Sequence, residues 1–183
     1  MQSDEALVEA ACAGDKAAFA ELFSRYQERL LRFLLTRSAS QADAEDALQD
    51  TFINAYRYLE SYDPRWRFST WLYRIGIRAA MAARRDEVRE GVDVTDPTAD
   101  PLLACMRDSS RDNLWLTAKQ LLSDEAYTAL WLRYVEDMSI NDVAAALDRN
   151  PSWAKVTLKR SRDRLAGAYA DAPTEPQQGG VYG

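Results

Sequence analysis

Apolar residues recur every three or four positions over almost the whole chain, and no run of alternating β-branched residues interrupts them. A period near 3.6 buries one face of a helix, whereas a half-buried strand needs a period of two, so the pattern predicts an all-α protein. One stretch breaks the periodicity. Gly91 to Ser110, GVDVTDPTADPLLACMRDSS, gathers Gly, Pro, Asp, Thr and Ser, the profile of a flexible linker. The chain is therefore expected to form two small helical domains, residues 1–90 and 111–168, joined by the linker 91–110. Residues 169–183 are polar and rich in Pro and Gly, which predicts a disordered tail.

Several classes of function are disfavoured. No segment approaches 18 consecutive apolar residues, and the first ten residues, MQSDEALVEA, are acidic where a secretory signal is basic and then apolar. A cytoplasmic protein without membrane insertion is expected. Cys12 and Cys105 lack CxxC spacing and histidine is absent, so neither a disulfide framework nor an ordinary zinc site is predicted. The two thiols are expected to be ordinary and partly buried, a redox switch being the alternative. The sequence holds no nucleotide-binding loop and no nucleophile triad, and without histidine it lacks the commonest acid-base group. It is read as a non-enzyme with no cofactor and no metal.

The net charge of −6 argues against indiscriminate coating of nucleic acid. Its distribution is uneven. Residues 61–90 hold 7 basic and 4 acidic side chains and residues 138–183 hold 6 and 5, while the intervening and preceding stretches are strongly acidic.

From Asp43 to Glu60, Ala44, Leu48, Phe52, Ala55 and Leu59 form one apolar stripe at helical spacing. Opposite it, Asp46, Gln49, Asp50, Ile53 and Arg57 form an outward row of acid, amide, acid, aliphatic and base. A charged stripe is ordinarily a solvated face. An aliphatic side chain at Ile53 within such a row points instead to a docking surface, and carboxylates and an amide in fixed register suit an arginine-rich partner.

The following loop, SYDPRWRFS, interleaves Tyr62, Trp66 and Phe68 with Arg65 and Arg67. Asp63-Pro64 marks a turn. Aromatic rings beside guanidinium groups can stack on unpaired bases and hold phosphates, at about 1 to 3 kcal/mol per stacked base. Phe68 is read as a core plug; for Trp66, core packing and base stacking both stay open. Beyond the loop, Phe68, Leu72, Ile75, Ala79 and Ala82 are expected to face the core. Arg67, Arg74, Arg78 and Arg85 fall within a narrow strip at about 100° per residue, able to track a phosphate backbone. Trp71 lies beside the strip, either in the core or as a wedge against the end of a duplex.

Near the C-terminus, Ser139-Ile140-Asn141-Asp142 has the form of a capping box with Asp for the usual Glu. Ile140, Val143, Ala144 and Leu147 supply the buried face of a short helix. After a break at Asp148-Arg149-Asn150-Pro151, Asn150 is suited to cap a second helix and Pro151 to begin it, with Leu165 near its end. Ala154, Leu158, Ser161 and Leu165 are its core stripe. Ser152, Trp153, Val156, Lys159 and Arg160 face outward, flanked by Lys155 and Thr157, as in a recognition helix entering a major groove.

In this order, the segments Asp43–Arg85 and Leu121–Leu165, with the strings DAEDALQD, WLYRI and LRYVEDMSINDVAAAL, resemble the extracytoplasmic-function group of bacterial RNA polymerase sigma factors. The resemblance covers roughly residues 15–90 and 111–165. It implies a region 2-like domain at 1–90 and a region 4-like helix-turn-helix domain at 111–168. It implies that Asp46, Gln49, Asp50 and Ile53 dock on the clamp helices of the polymerase β′ subunit. Tyr62, Trp66, Arg67, Trp71, Arg74, Arg78 and Arg85 would bind and open the −10 promoter element, the loop receiving a flipped-out base. Ser152, Trp153, Lys155, Val156, Thr157, Lys159 and Arg160 would bind the −35 element. Core polymerase, promoter DNA and an anti-sigma factor are the implied partners. There are four departures from the family pattern, at five positions: Arg78 stands where Asn is usual, Asp148 replaces the turn Gly, Trp153 replaces Thr, and Val156-Thr157 replaces Ser-Arg. A stand-alone helix-turn-helix regulator and a sigma-like adaptor that reads no promoter are the alternatives.

Overall fold

In the computed structural model the described residues are 2–89 and 110–170, with the side chains of 85–89, 110–113 and 169 outside the description. Among them are eight α-helices and no strand: α1 (Asp4–Cys12), α2 (Lys16–Leu35), α3 (Gln41–Arg57), α4 (Phe68–Arg89), α5 (Ser110–Leu121), α6 (Asp124–Tyr134), α7 (Ile140–Ala146) and α8 (Pro151–Ala170). A single 3-10 turn, Leu59–Ser61, follows α3. The expected linker, apart from Ser110, lies outside the described residues with its Cys105, as does the expected tail beyond Ala170. None of the described helices is long and apolar enough to cross a membrane.

Short polar side chains start the helices where the sequence places them. Ser3, Asp15, Ser40 and Ser123 each accept a backbone N–H from the first turn that follows, satisfying donors that have no partner inside the helix. Ser139 and Asp142 form the reciprocal capping box, and Asn150 Oδ1 accepts Trp153 N–H at 2.8 Å. Helix α8 runs five residues beyond Leu165, to Ala170; Ala166, Ala168 and Ala170 favour continued helix.

The N-terminal group packs α2, α3 and α4 around Leu22, Leu30, Phe33, Leu34, Phe52, Leu72 and Tyr73, with α1 laid along α2. At Gly76 the backbone of α4 comes close to α2 and α3: an added Cβ would stand 3.2 Å from Leu30 Cδ1 and 3.5 Å from Thr51 Oγ1. The C-terminal group packs α5 to α8 around Leu130, Trp131, Leu132, Met138, Val143, Ala154 and Leu158. Trp115, Tyr127 and Trp131 form an aromatic cluster there, with ring centroids 5.1 to 6.2 Å apart.

The two groups touch. Helix α4 packs on α7, Phe33 meets Trp131 with centroids 6.4 Å apart, and Arg29 Nη2 lies 2.8 Å from the buried carboxylate of Glu136. This contact corrects the expected core face of α4. Phe68 and Leu72 are buried, but Ile75 and Ala79 are only half-buried and Ala82 is exposed, while Thr70, Tyr73, Ile77 and Ala80 are buried instead. A helix covered on one side by α2 and α3 and on another by α7 buries a wider arc than one stripe.

Candidate partner-binding and nucleic-acid surfaces

Helix α3 turns Ala44, Ala47, Thr51, Phe52 and Ala55 inward and leaves Asp46, Gln49, Asp50, Ile53 and Arg57 exposed. Ile53 is 47% exposed, as the docking reading requires. Among the described residues, no hydrogen bond or ion pair engages the side chain of Asp46, Gln49 or Asp50. The row therefore offers carboxylates and an amide that the fold does not use. Sequence reasoning missed its neighbour. Tyr56, three residues beyond Ile53, is exposed and meets Phe19 of α2 edge-on at 4.9 Å, and the exposed Phe23 lies 4.6 Å from Phe52. Spacing alone links Tyr56 to Ile53, but the aromatic shelf needs α2 and α3 side by side.

The loop after α3 is held by its own side chains. Asp63 accepts the backbone N–H of Arg65 at 3.0 Å and its guanidinium at 2.5 to 3.0 Å, and these bonds hold the Asp63 carboxyl below its usual range. Arg65 is thus engaged locally. Tyr62 donates its hydroxyl to Trp66 O at 2.6 Å and lies edge-on to Phe68 and Trp71 at 5.9 and 5.7 Å. Burial, with Glu5, Asp4 and Asp63 adding like charge, pushes its phenol up to about 12, so it stays a neutral donor. Phe68 is buried, as expected of a core plug. Trp66 is 39% exposed, and Trp71 is half-buried against the core. Both line a cleft of about 200 Å³ with Ser61, Asp63, Thr70, Arg74 and Ala145.

On α4, Arg74 and Arg78 stand one turn apart, both bonded to the carboxylate of Asp148, with Arg78 Nη2 2.8 Å from Oδ2. Arg67 is exposed just before the helix, and the side chain of Arg85 lies outside the described residues. Arg84, which the strip did not include, pairs with Asp124 at 2.5 Å. Nearby Arg37 bonds Thr128 Oγ1, and burial lowers its basicity. A groove of about 1090 Å³ opens here between α4 and the C-terminal group.

Helices α7 and α8 form the helix-turn-helix. Asp148 carries the turn at φ 53, a conformation that Gly adopts freely and Asp tolerates. All four residues of the expected α8 stripe, Ala154, Leu158, Ser161 and Leu165, are buried. Ser152, Lys155, Val156, Lys159 and Arg160 are exposed, and Thr157 is half-buried. Trp153 is not fully outward: it packs against the core, with the Arg149 guanidinium 5.6 Å from its ring centre. Among the described residues there is no cluster of His, Cys, Asp and Glu able to hold a metal ion.

Comparison with known proteins bears on the family. Residues 22–90 match the Sigma-70 region 2 family. The chain is 32% identical over 177 residues to the ECF RNA polymerase sigma-E factor of Haemophilus influenzae, covering 89% of this chain and 93% of that protein. It is 30% identical over 179 residues to the RNA polymerase sigma-H factor of Pseudomonas aeruginosa, covering 90% and 92%. Among solved structures, CnrH in complex with the cytosolic domain of CnrY shares the fold with a TM-score of 0.69 at 22% identity, over 94% of this chain and all of that one. The sigma factor RpoE of Bartonella quintana, solved with the anti-sigma factor NepR, superposes with a TM-score of 0.67 at 21% identity, covering 85% and 98%.

Proposed function

The chain belongs to the extracytoplasmic-function RNA polymerase sigma factors, which bind core polymerase and direct promoter-dependent initiation, and we propose that it divides this work among three surfaces. Asp46, Gln49, Asp50 and Ile53 dock on the β′ clamp helices. Tyr62, Trp66, Arg67, Trp71, Arg74, Arg78 and Arg85 hold and open the −10 element. Ser152, Trp153, Lys155, Val156, Thr157, Lys159 and Arg160 meet the −35 element, Lys155, Lys159 and Arg160 on phosphates and Val156 against a thymine methyl. The domains run 1–90 and 111–168 across a linker at 91–110. The protein acts in the cytoplasm beside its polymerase, catalyses no reaction of its own, and is regulated by an anti-sigma factor, as the partner of Bartonella RpoE supports.

The observation that carries this reading is the α3 row: three polar side chains in register with an exposed Ile53 and without a partner among the described residues. A fold spends such a row on nothing internal. Asp46→Arg with Asp50→Arg is the test. The double variant should keep the helical circular dichroism of the parent, fail to co-purify with core polymerase, and lose run-off transcription. Retained co-purification with normal helicity would remove the docking assignment.

A further inference from the structure

Two of the four departures from the family pattern, Arg78 and Asp148, are 70 residues apart in sequence and bonded to each other in space. Asp148 Oδ2 accepts from Arg78, and Oδ1 accepts from Arg74 one turn earlier on α4. One turn earlier again, Thr70 donates to the buried Asp142 Oδ1 at 2.9 Å. Positions 70, 74 and 78 form a single i, i+4, i+8 row, and every member of it is held by the helix-turn-helix group. In the same arrangement Ala145 of α7 walls the cleft that Trp66, Trp71 and Arg74 line.

A carboxylate whose two oxygens each receive one guanidinium is bound as a bridging phosphate would be. The backbone supports this role. At φ 53 glycine is unstrained and Asp is tolerated, so the turn can carry a carboxylate there. The pairs are also reversible: the side chains of Arg74, Arg78 and Asp148 are 40%, 64% and 51% exposed, where water and salt weaken ion pairs.

We propose that Asp148 is an intramolecular occupant of an anion site made by Arg74 and Arg78, so that closure of the helix-turn-helix group and binding of a nucleic-acid strand compete for the same two guanidinium groups. The proposal rests on the assignment of α4 to the promoter strand. Closure removes half of the four-arginine strip from use and shuts one side of the aromatic cleft. The strand, or any partner that separates the two helical groups, releases both at once.

The test uses the full chain as wild type, Asp148→Gly, and Asp148→Gly combined with Arg74→Ala and Arg78→Ala, with a fluorescent single-stranded DNA oligonucleotide as the probe. Glycine relieves the turn, so the fold is not at risk from the first substitution. Asp148→Gly should bind the strand about three- to tenfold more tightly at low salt, the scale of two exposed ion pairs. The gain should shrink as salt rises, and the added arginine substitutions should abolish it. Small-angle scattering should show the wild type expanding when saturated with the strand, and Asp148→Gly reaching the same expansion at a lower strand concentration. If Asp148→Gly binds no tighter while the arginine substitutions still weaken binding, the competition is wrong and the strand assignment of α4 stands. If the arginine substitutions have no effect in the Asp148→Gly background, the strand assignment fails and the proposal with it.

Discussion

Three exposed cations on the first three turns of α8, Lys155, Lys159 and Arg160, make no ion pair among the described residues, and on the proposed reading they set the salt dependence of −35 binding. Each phosphate neutralised contributes about −0.9 to the slope of log affinity against log salt. The three together give a slope of about −2.7 from this helix. Lys155→Ala should reduce the slope by about 0.9, and over a rise from ~50 to ~200 mM salt the wild-type advantage should fall about 3.5-fold, or about 0.7 kcal/mol. Because a phosphate carries no base identity, the loss should be the same for every duplex tested. Fluorescence anisotropy of the full chain on a set of duplexes, in a salt series, measures both quantities. An unchanged slope would place Lys155 off the DNA. A loss that differs strongly between sequences would move Lys155 from the backbone to a base edge.

Trp66→Ala should leave polymerase co-purification intact while reducing permanganate reactivity of promoter thymines, since a stacked base contributes about 1 to 3 kcal/mol only after the strands part; equal reactivity would return Trp66 to a packing role. Leu158→Ala, at a buried position where α8 meets the core of the C-terminal group, should cost about 2 to 5 kcal/mol in chemical denaturation, and a cost below ~1 kcal/mol would mean that the site collapses around the cavity.

Much of the fold is legible where one helix buries one face. On α8, spacing named Ala154, Leu158, Ser161 and Leu165, and each is buried. The capping box at Ser139 and Asp142 and the Asn150 cap also follow from local chemistry, because their partners lie within three residues. Helix α4 is different because it is covered on two sides. Its periodicity assumes a single buried side, but Tyr73 packs on Phe33 while Thr70, three residues away, meets Asp142 of the other group. Two partners widened the buried arc, and neither can be seen from the helix alone. The α3 row was legible for the opposite reason: it needs no partner inside the chain.

The basic strip exposes a further limit of reading charge along a sequence. Residues 61–90 count as net positive, yet Arg65 is paired with Asp63, Arg84 with Asp124, and Arg74 and Arg78 with Asp148. Three of those four pairings link residues at least 40 positions apart, so a linear count assigns the carboxylates to another segment. At contact distance the two opposite charges leave only a dipole, whose field falls off faster than that of a lone guanidinium, and salt screens what remains beyond about 10 Å at 0.1 M. If α4 binds a strand as proposed, that attraction belongs to the separated groups rather than to the closed chain. On the proposed reading the acidic overall balance fits the same logic: carboxylates on α3 stay available to a protein partner, while Asp124 and Asp148 pair with arginines of α4.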